Sequence, residues 1–127
     1  MQLQPKNAPL STLVGNLYLG AGDLSAAKRY YERTLELNPN FGVAAANLAW
    51  ILVQQGEDLD RALSLAQTAK QSLGDAVTVA DTLGWIMFKK ALYVGAEPLL
   101  EEAVQRAPET AQYHYHLAAV LAETGKN

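Results

Sequence analysis

The 127-residue chain contains no cysteine, which removes disulfides, thiolate metal sites and cysteine nucleophiles while leaving the compartment open. It has no excess of positive charge: 10 Lys and Arg stand against 13 Asp and Glu, for a formal net charge of −3. Non-specific nucleic-acid binding needs a basic face, so no nucleic-acid partner is expected. No apolar run approaches the roughly 20 residues of a membrane span, and the first residues, MQLQPKNAPL, lack the basic-then-apolar order of a signal peptide. The segment reads as soluble, without direct membrane insertion, and its compartment stays open between cytoplasm and a bacterial periplasm or cell envelope. Alternating apolar and polar runs bounded by hairpin turns are missing, so no strand is expected. Phosphate-binding glycine loops, a nucleophile elbow and paired carboxylates in a cleft are missing too. Glu101-Glu102 and Glu57-Asp58 read as solvated helix and cap charges. No catalytic residue and no cofactor is assigned, and the function is read as non-enzymatic.

What the chain does have is half hydrophobic composition arranged with helical periodicity. The clearest stretch runs from Val77 to Thr110. Leu83, Gly84 and Met87 lie on one side of a first helix, Ala96, Leu100 and Ala103 on one side of a second, and Pro108 closes the unit. The pattern recurs. Pro5 and Pro39 are 34 residues apart, and between Pro39 and Pro108 the missing mark falls at Gly74. Units therefore run over 8–41, 42–76 and 77–110, with a partial unit or capping helix over 111–127 and residues 1–7 left as the end of an earlier repeat or a remnant. The first unit has Val14, Gly15 and Tyr18 on its first packing face and Ala27, Tyr31 and Leu35 on its second. The second unit has Leu48, Ala49 and Leu52, then Ala62, Ala66 and Ala69. Seven helices are expected. Asp23, and either Asp58 or Asp60, are placed to cap the helices that follow them.

These positions carry a pattern that resembles the tetratricopeptide repeat family, whose 34-residue helix–turn–helix unit favours a bulky residue, then Leu-Gly, then Tyr, later two small residues around an aromatic or Leu, and a closing Pro. The resemblance covers nearly all of residues 8–125. Thr34 stands where the last Ala is usual, and Gly74 replaces a Pro. It implies an all-α, right-handed solenoid of antiparallel helix pairs, since a two-helix unit cannot bury its apolar stripe without stacked neighbours. Two further departures bear on geometry. Ala91 stands at a turn position usually held by Gly and would be strained at positive φ. Pro98 falls inside the second helix of the third unit, which should begin late, near Gly95, or bend.

The resemblance also implies that first helices line a concave surface where a partner peptide or protein segment binds. The residues it places there include Asn16, Asn47, Trp50, Gln54, Asp81, Trp85, Lys89 and Tyr115. Trp50 and Trp85, 35 residues apart, should stand on neighbouring helices. They either grip an apolar side chain or pack between repeats. Asn16, Asn47 and Asp81 suit a peptide backbone or an amino group, or else lie in solvated surface. Lys89 alone is basic in this set, which argues against a clamp for a terminal carboxylate. His114 and His116 diverge by about 200° on a helix and cannot share a metal. One is expected to pack and one to be exposed, and no metal site is expected. The second reading of function is a structural spacer, or an array that self-associates through open solenoid ends as a fragment of a larger protein. The DTLGW stretch, KK and PLLEEAVQRAP are also similar to repeat regions of bacterial cell-envelope lipoproteins associated with export and exopolysaccharide loci, which would put the array outside the inner membrane.

Overall fold

A computed structural model describes residues 6–125, so Pro5 and most of the remnant at 1–7 lie outside the described residues, as do the last two residues of the chain. Among the described residues there are seven α-helices and no strand. They are α1 (Ala8–Gly20), α2 (Leu24–Leu37), α3 (Gly42–Gln55), α4 (Leu59–Leu73), α5 (Val77–Lys89), α6 (Tyr93–Arg106) and α7 (Ala111–Thr124). None is long and apolar enough to cross a membrane. The pairs α1/α2, α3/α4 and α5/α6 pack most closely, and α2/α3, α4/α5 and α6/α7 join one pair to the next. The result is a right-handed α-solenoid of antiparallel hairpins, with α7 as a further first helix.

Side-chain caps account for three of the helix starts, those of α1, α2 and α4. The side chains of Asn7, Asp23 and Asp58 accept from the backbone N–H of Leu10, Ala26 and Arg61, at 2.8, 3.0 and 3.2 Å. Of the two candidates in the second turn, Asp58 is therefore the cap. The turns within the repeats need a left-handed residue at one recurring place. Gly22, Gly56 and Gly125 occupy it at φ of 81°, 68° and 75°, and Ala91 adopts φ 62° there, the strained conformation its position foretold. Of the two alternatives left open for α6, the late start is not found. The helix begins at Tyr93, ahead of Gly95, so Pro98 lies in the helix interior. Pro98 and Val94, whose carbonyl loses its N–H donor, are both exposed residues, and the helix continues to Arg106.

Small residues set the distance between helices. Ala27, Ala62, Ala66, Ala69, Ala96 and Ala103 are each no more than 1% exposed. The eighth residue of the first and third units is Gly for a concrete reason. A Cβ on Gly15 would sit 2.7 Å from the Tyr31 ring, and one on Gly84 would sit 2.9 Å from Leu100. Burial is uneven along the array. Every residue from Val79 to Ile86 is buried, because α5 touches α3, α4, α6 and α7. α1 buries only Ala8, Ser11, Thr12 and Gly15, and its seam with α2 is partly polar. Ser11 donates to the Tyr30 carbonyl at 2.7 Å, and Thr12 donates to Thr34, which donates to the same carbonyl at 2.9 Å. That hydroxyl ladder explains why Thr34 stands in place of an alanine. Tyr18, read from the sequence as a packing residue, is 37% exposed and stacks on Tyr30 at the edge of the hairpin.

Candidate functional site

The first helices α1, α3, α5 and α7 carry all eight residues expected at the groove. The structure divides these residues into two groups with different chemistry.

Asn16 on α1 and Asn47 on α3 are brought together by Tyr31 of α2. The buried Tyr31 hydroxyl donates to Asn16 Oδ1 at 2.6 Å. Asn47 Nδ2 donates to the same Oδ1 at 3.0 Å and to the Tyr31 oxygen at 3.3 Å. Burial pushes the Tyr31 phenol above its ordinary pKa of 10.0, and the Asn47 bond offsets part of that rise. The hydroxyl thus stays protonated and donating across the neutral range. These bonds use Oδ1 of Asn16 and Nδ2 of Asn47; Asn16 is exposed and Asn47 half-buried. Trp50 and Gln54 continue the Asn47 stripe along α3, Trp50 half-buried and Gln54 exposed. Tyr31 was read from the sequence only as a core aromatic. Its hydroxyl, buried with no apolar use, is the signal that pointed further.

Asp81 and Trp85 lie deeper than expected. Asp81 is 3% exposed and Trp85 7% exposed, so neither stands open in the groove. The cause is α7. His116 Nδ1 contacts both oxygens of Asp81 at 2.9 Å, and the His116 ring stacks on Trp85 with centroids 3.9 Å apart. Phe88 stacks on Trp85 as well, at 4.8 Å. The Asp81 charge and burial together push the Tyr113 phenol upward, burial being the larger cause. Of the two histidines, His116 packs and His114 is exposed, its Nε2 within 2.6 Å of the Pro108 carbonyl. Asp81 is the fifth residue of its unit and His116 the sixth of the next. A lone acid and a lone histidine on adjacent apolar faces were the available signal for that pair. What remains open at this end is Tyr115, 66% exposed and tilted against Trp85, and Lys89, whose Nζ lies 4.9 Å from the Trp85 ring centroid. Trp85 therefore supports the surface from below, and Trp50 is the tryptophan left partly open.

Among the described residues no group of three or more His, Asp or Glu side chains is arranged to hold a metal. A polar cleft of about 320 Å³ lies off this surface, lined by Lys28, Glu32, Gln55 and Glu57 among others. Three of its charged side chains, Lys28, Glu32 and Glu57, are paired, and Arg29 also lines it. Lys28 bonds Gln55 and Glu57 at 3.3 and 3.2 Å, and Arg61 pairs with Glu32.

Comparison with known proteins places this geometry. Tetratricopeptide repeat profiles match residues 18–80 and 91–127. An uncharacterised protein of Pyropia yezoensis, ycf37, is 45% identical over 58 residues, a match that spans 46% of this chain and 32% of that protein. Among solved structures, the first repeat domain of Spaghetti (RPAP3), bound to the HSP90 peptide SRMEEVD, superposes with a TM-score of 0.80 at 17% identity, covering 94% of each chain. YrrB, described as having an unusual peptide-binding site, gives 0.79 at 20% identity over 94% of this chain and 61% of its own. MamA of Desulfovibrio magneticus RS-1 gives 0.80 at 18% identity over 94% of this chain and 67% of its own. Profile matches over both halves, together with the seven-helix solenoid, establish that the chain belongs to the tetratricopeptide repeat family.

Proposed function

We propose that this chain is a protein-interaction scaffold that holds an extended segment of a partner protein along the surface of its first helices. One observation carries the reading. Asn16 and Asn47 are bonded to each other and to Tyr31, and those bonds leave the amide donor of Asn16 and the carbonyl acceptor of Asn47 outside the network. That is the complement of a single peptide group. Because the locking bonds are made within the protein, the pair needs no reordering when a ligand arrives. Trp50 beside Asn47, and Tyr115 at the far end, offer apolar surface for ligand side chains. Two structural relatives, YrrB and the Spaghetti domain, are described as peptide binders, which supports this class of partner. The peptide in the Spaghetti structure is acidic. The groove here has Lys89 as its one cation among the residues named, and that cation rests on Trp85. The segment favoured is therefore uncharged or weakly charged, with one bulky apolar residue.

The test is selection of peptides from a random display library on the wild-type chain, followed by titration monitored through tryptophan fluorescence. Loss of two hydrogen bonds of about 0.5–1.5 kcal/mol each in an Asn16→Ala, Asn47→Ala variant should weaken binding by about fivefold to a hundredfold. Selected peptides that bind this variant, still folded by circular dichroism, as tightly as wild type would sink the assignment.

A further inference from the structure

The seam between the first two units is built differently from the seam between the second and third. Counted from the caps Asp23 and Asp58, Lys28 of α2 holds the place of Leu63 in α4. Leu63 is half-buried and packs against the main core, and Asp60 beside it bonds Lys90 of the following turn. An apolar side chain and one ion pair close that seam. At the first seam a lysine stands instead, and the turn it faces is one residue longer. In the first and third turns the left-handed residue is followed directly by the helix cap, Gly22-Asp23 and Ala91-Leu92. In the second, Glu57 is inserted between Gly56 and Asp58, and Asp58 then takes φ 42°, a conformation unfavourable to an L residue. The two departures meet: Lys28 Nζ lies 3.2 Å from Glu57 Oε2. Together they hold open the polar cleft of about 320 Å³, which Ser25, Arg29, Glu32 and Gln55 also line.

What the cleft has left to offer is specific. Arg61 takes both oxygens of Glu32, and Lys28 takes Oε2 of Glu57 and Oε1 of Gln55. Outside these bonds are the Arg29 guanidinium, which has no ion pair or hydrogen bond with any described residue, the Ser25 hydroxyl, Nε2 of Gln55 and Oε1 of Glu57. A guanidinium matches a carboxylate through two parallel bonds, and a hydroxyl and an amide can add to the same anion. The remaining carboxylate oxygen accepts from an ammonium group. Two cations and two carboxylates line the space, so a ligand with net charge of either sign meets a like charge. No apolar side chain lines it, and its volume is at the lower end of small-molecule sites, so the ligand is small and polar.

We infer that this cleft binds a small polar α-amino acid in its zwitterionic form, with the carboxylate on Arg29 and the ammonium group on Glu57. The site belongs to a second helix and a turn, and it does not rest on peptide binding along the first helices. Ser25, Arg29, Gln55 and Glu57 are all exposed residues, so water competes for each bond and affinity is in the millimolar range.

Chemical-shift titration of the isotope-labelled 127-residue chain with L-serine at low ionic strength tests it. The backbone amide signals of Ser25, Arg29, Gln55 and Glu57 should move together and saturate with a Kd of about 1–10 mM. N-acetylserine has no ammonium group and serine methyl ester has no carboxylate, so each should bind at least about fivefold more weakly. Arg29→Gln and, separately, Glu57→Gln should weaken serine by a similar factor, with unchanged circular dichroism because both residues are exposed. Glu57→Gln should not weaken N-acetylserine further, which separates loss of the ammonium partner from a general disturbance of the turn. Signals that fail to saturate by about 50 mM serine overturn the inference. N-acetylserine or the methyl ester binding as tightly as serine overturns it too, as does either variant binding serine like the wild type.

Discussion

Tyr31→Phe is the most informative single change, because it removes one oxygen and leaves the ring against Gly15. The lost hydroxyl donates at 2.6 Å to Asn16 and accepts at 3.3 Å from Asn47. Net contributions of about 0.5–1.5 kcal/mol per bond bracket the sum at about 1–3 kcal/mol. The second bond is long, and exposed Asn16 can turn to water, so the expected loss is about 1–2 kcal/mol. Tyr31→Ala should cost about 3–5 kcal/mol, since it opens a cavity at a residue with 0% exposure. Urea titration followed by helical circular dichroism separates the two, with an unchanged slope in Tyr31→Phe indicating unaltered compactness. Alkaline pH gives an independent reading. The folded-state pKa of Tyr31 lies above 10.0, so the folded protein keeps a proton that the unfolded chain has begun to lose. Stability from this group is therefore full below about pH 10 and is lost as pH climbs through the folded value. The Phe variant should show a shallower alkaline decline, not a flat one, because Tyr113 is also raised. A stability change below about 0.3 kcal/mol, with the alkaline slope unaltered, would mean that the hydroxyl does not organise Asn16 and Asn47.

Three further outcomes are expected. His116→Leu leaves the Asp81 carboxylate buried without its partner and should destabilise by about 3–5 kcal/mol, whereas the Asp81→Leu, His116→Leu pair should recover most of that loss; thermal melts that rank the double variant below the single one would refute the pairing argument. Ala91→Gly relieves the φ of 62° and should raise stability by about 1 kcal/mol in urea titration, with no gain counting against strain at this turn. Gly84→Ala places a Cβ 2.9 Å from Leu100 and should cost about 1–3 kcal/mol, and a neutral result would show that the α5/α6 seam can open without penalty.

Sequence and structure agree where the reasoning rests on periodic burial. The small-residue stripes of α4 and α6, the Ala27 and Tyr31 face of α2 and the packed and exposed members of the histidine pair follow from spacing on a helix, and the strain at Ala91 and the Asp23 cap from their places in the turns. Disagreement begins where a side chain meets a group from another unit. Asp81 has a groove position by its place in the repeat, yet His116 from the next helix takes it out of solvent. Trp85 and Trp50 hold the same place one unit apart and diverge because His116 and Phe88 cover Trp85. Pro98 left two alternatives open, a late start near Gly95 or a bend; α6 starts at Tyr93, with Ala96 packed beside Met87 and Phe88 of α5, which removes the first. Spacing along one strand of sequence has no term for contacts between units, and the candidate site consists largely of such contacts.

The repeats are alike where they touch each other and unlike at the first-helix positions proposed to meet a partner, and that contrast constrains what the proposed surface recognises. The eighth residue of each unit is small throughout: Gly15, Ala49, Gly84 and Ala118. The ninth residue is Asn16, Trp50, Trp85 and Ala119 in turn. A groove lined by one repeated residue would accept a repetitive ligand in any register. The surface proposed here has an amide end, at Asn16 and Asn47, and an aromatic end, at Tyr115 tilted against Trp85. Sliding a ligand by one unit sets its peptide group against tryptophan and its apolar side chain against paired amides, leaving polar groups unpaired at about 1–3 kcal/mol each. A selected peptide should therefore bind in one direction and one register. Its reversed-order counterpart has the same composition and charge, and should bind at least about tenfold more weakly in the same fluorescence titration. Equal binding of the two would reduce the groove to a generally adhesive surface and remove the basis for assigning its two ends separate roles.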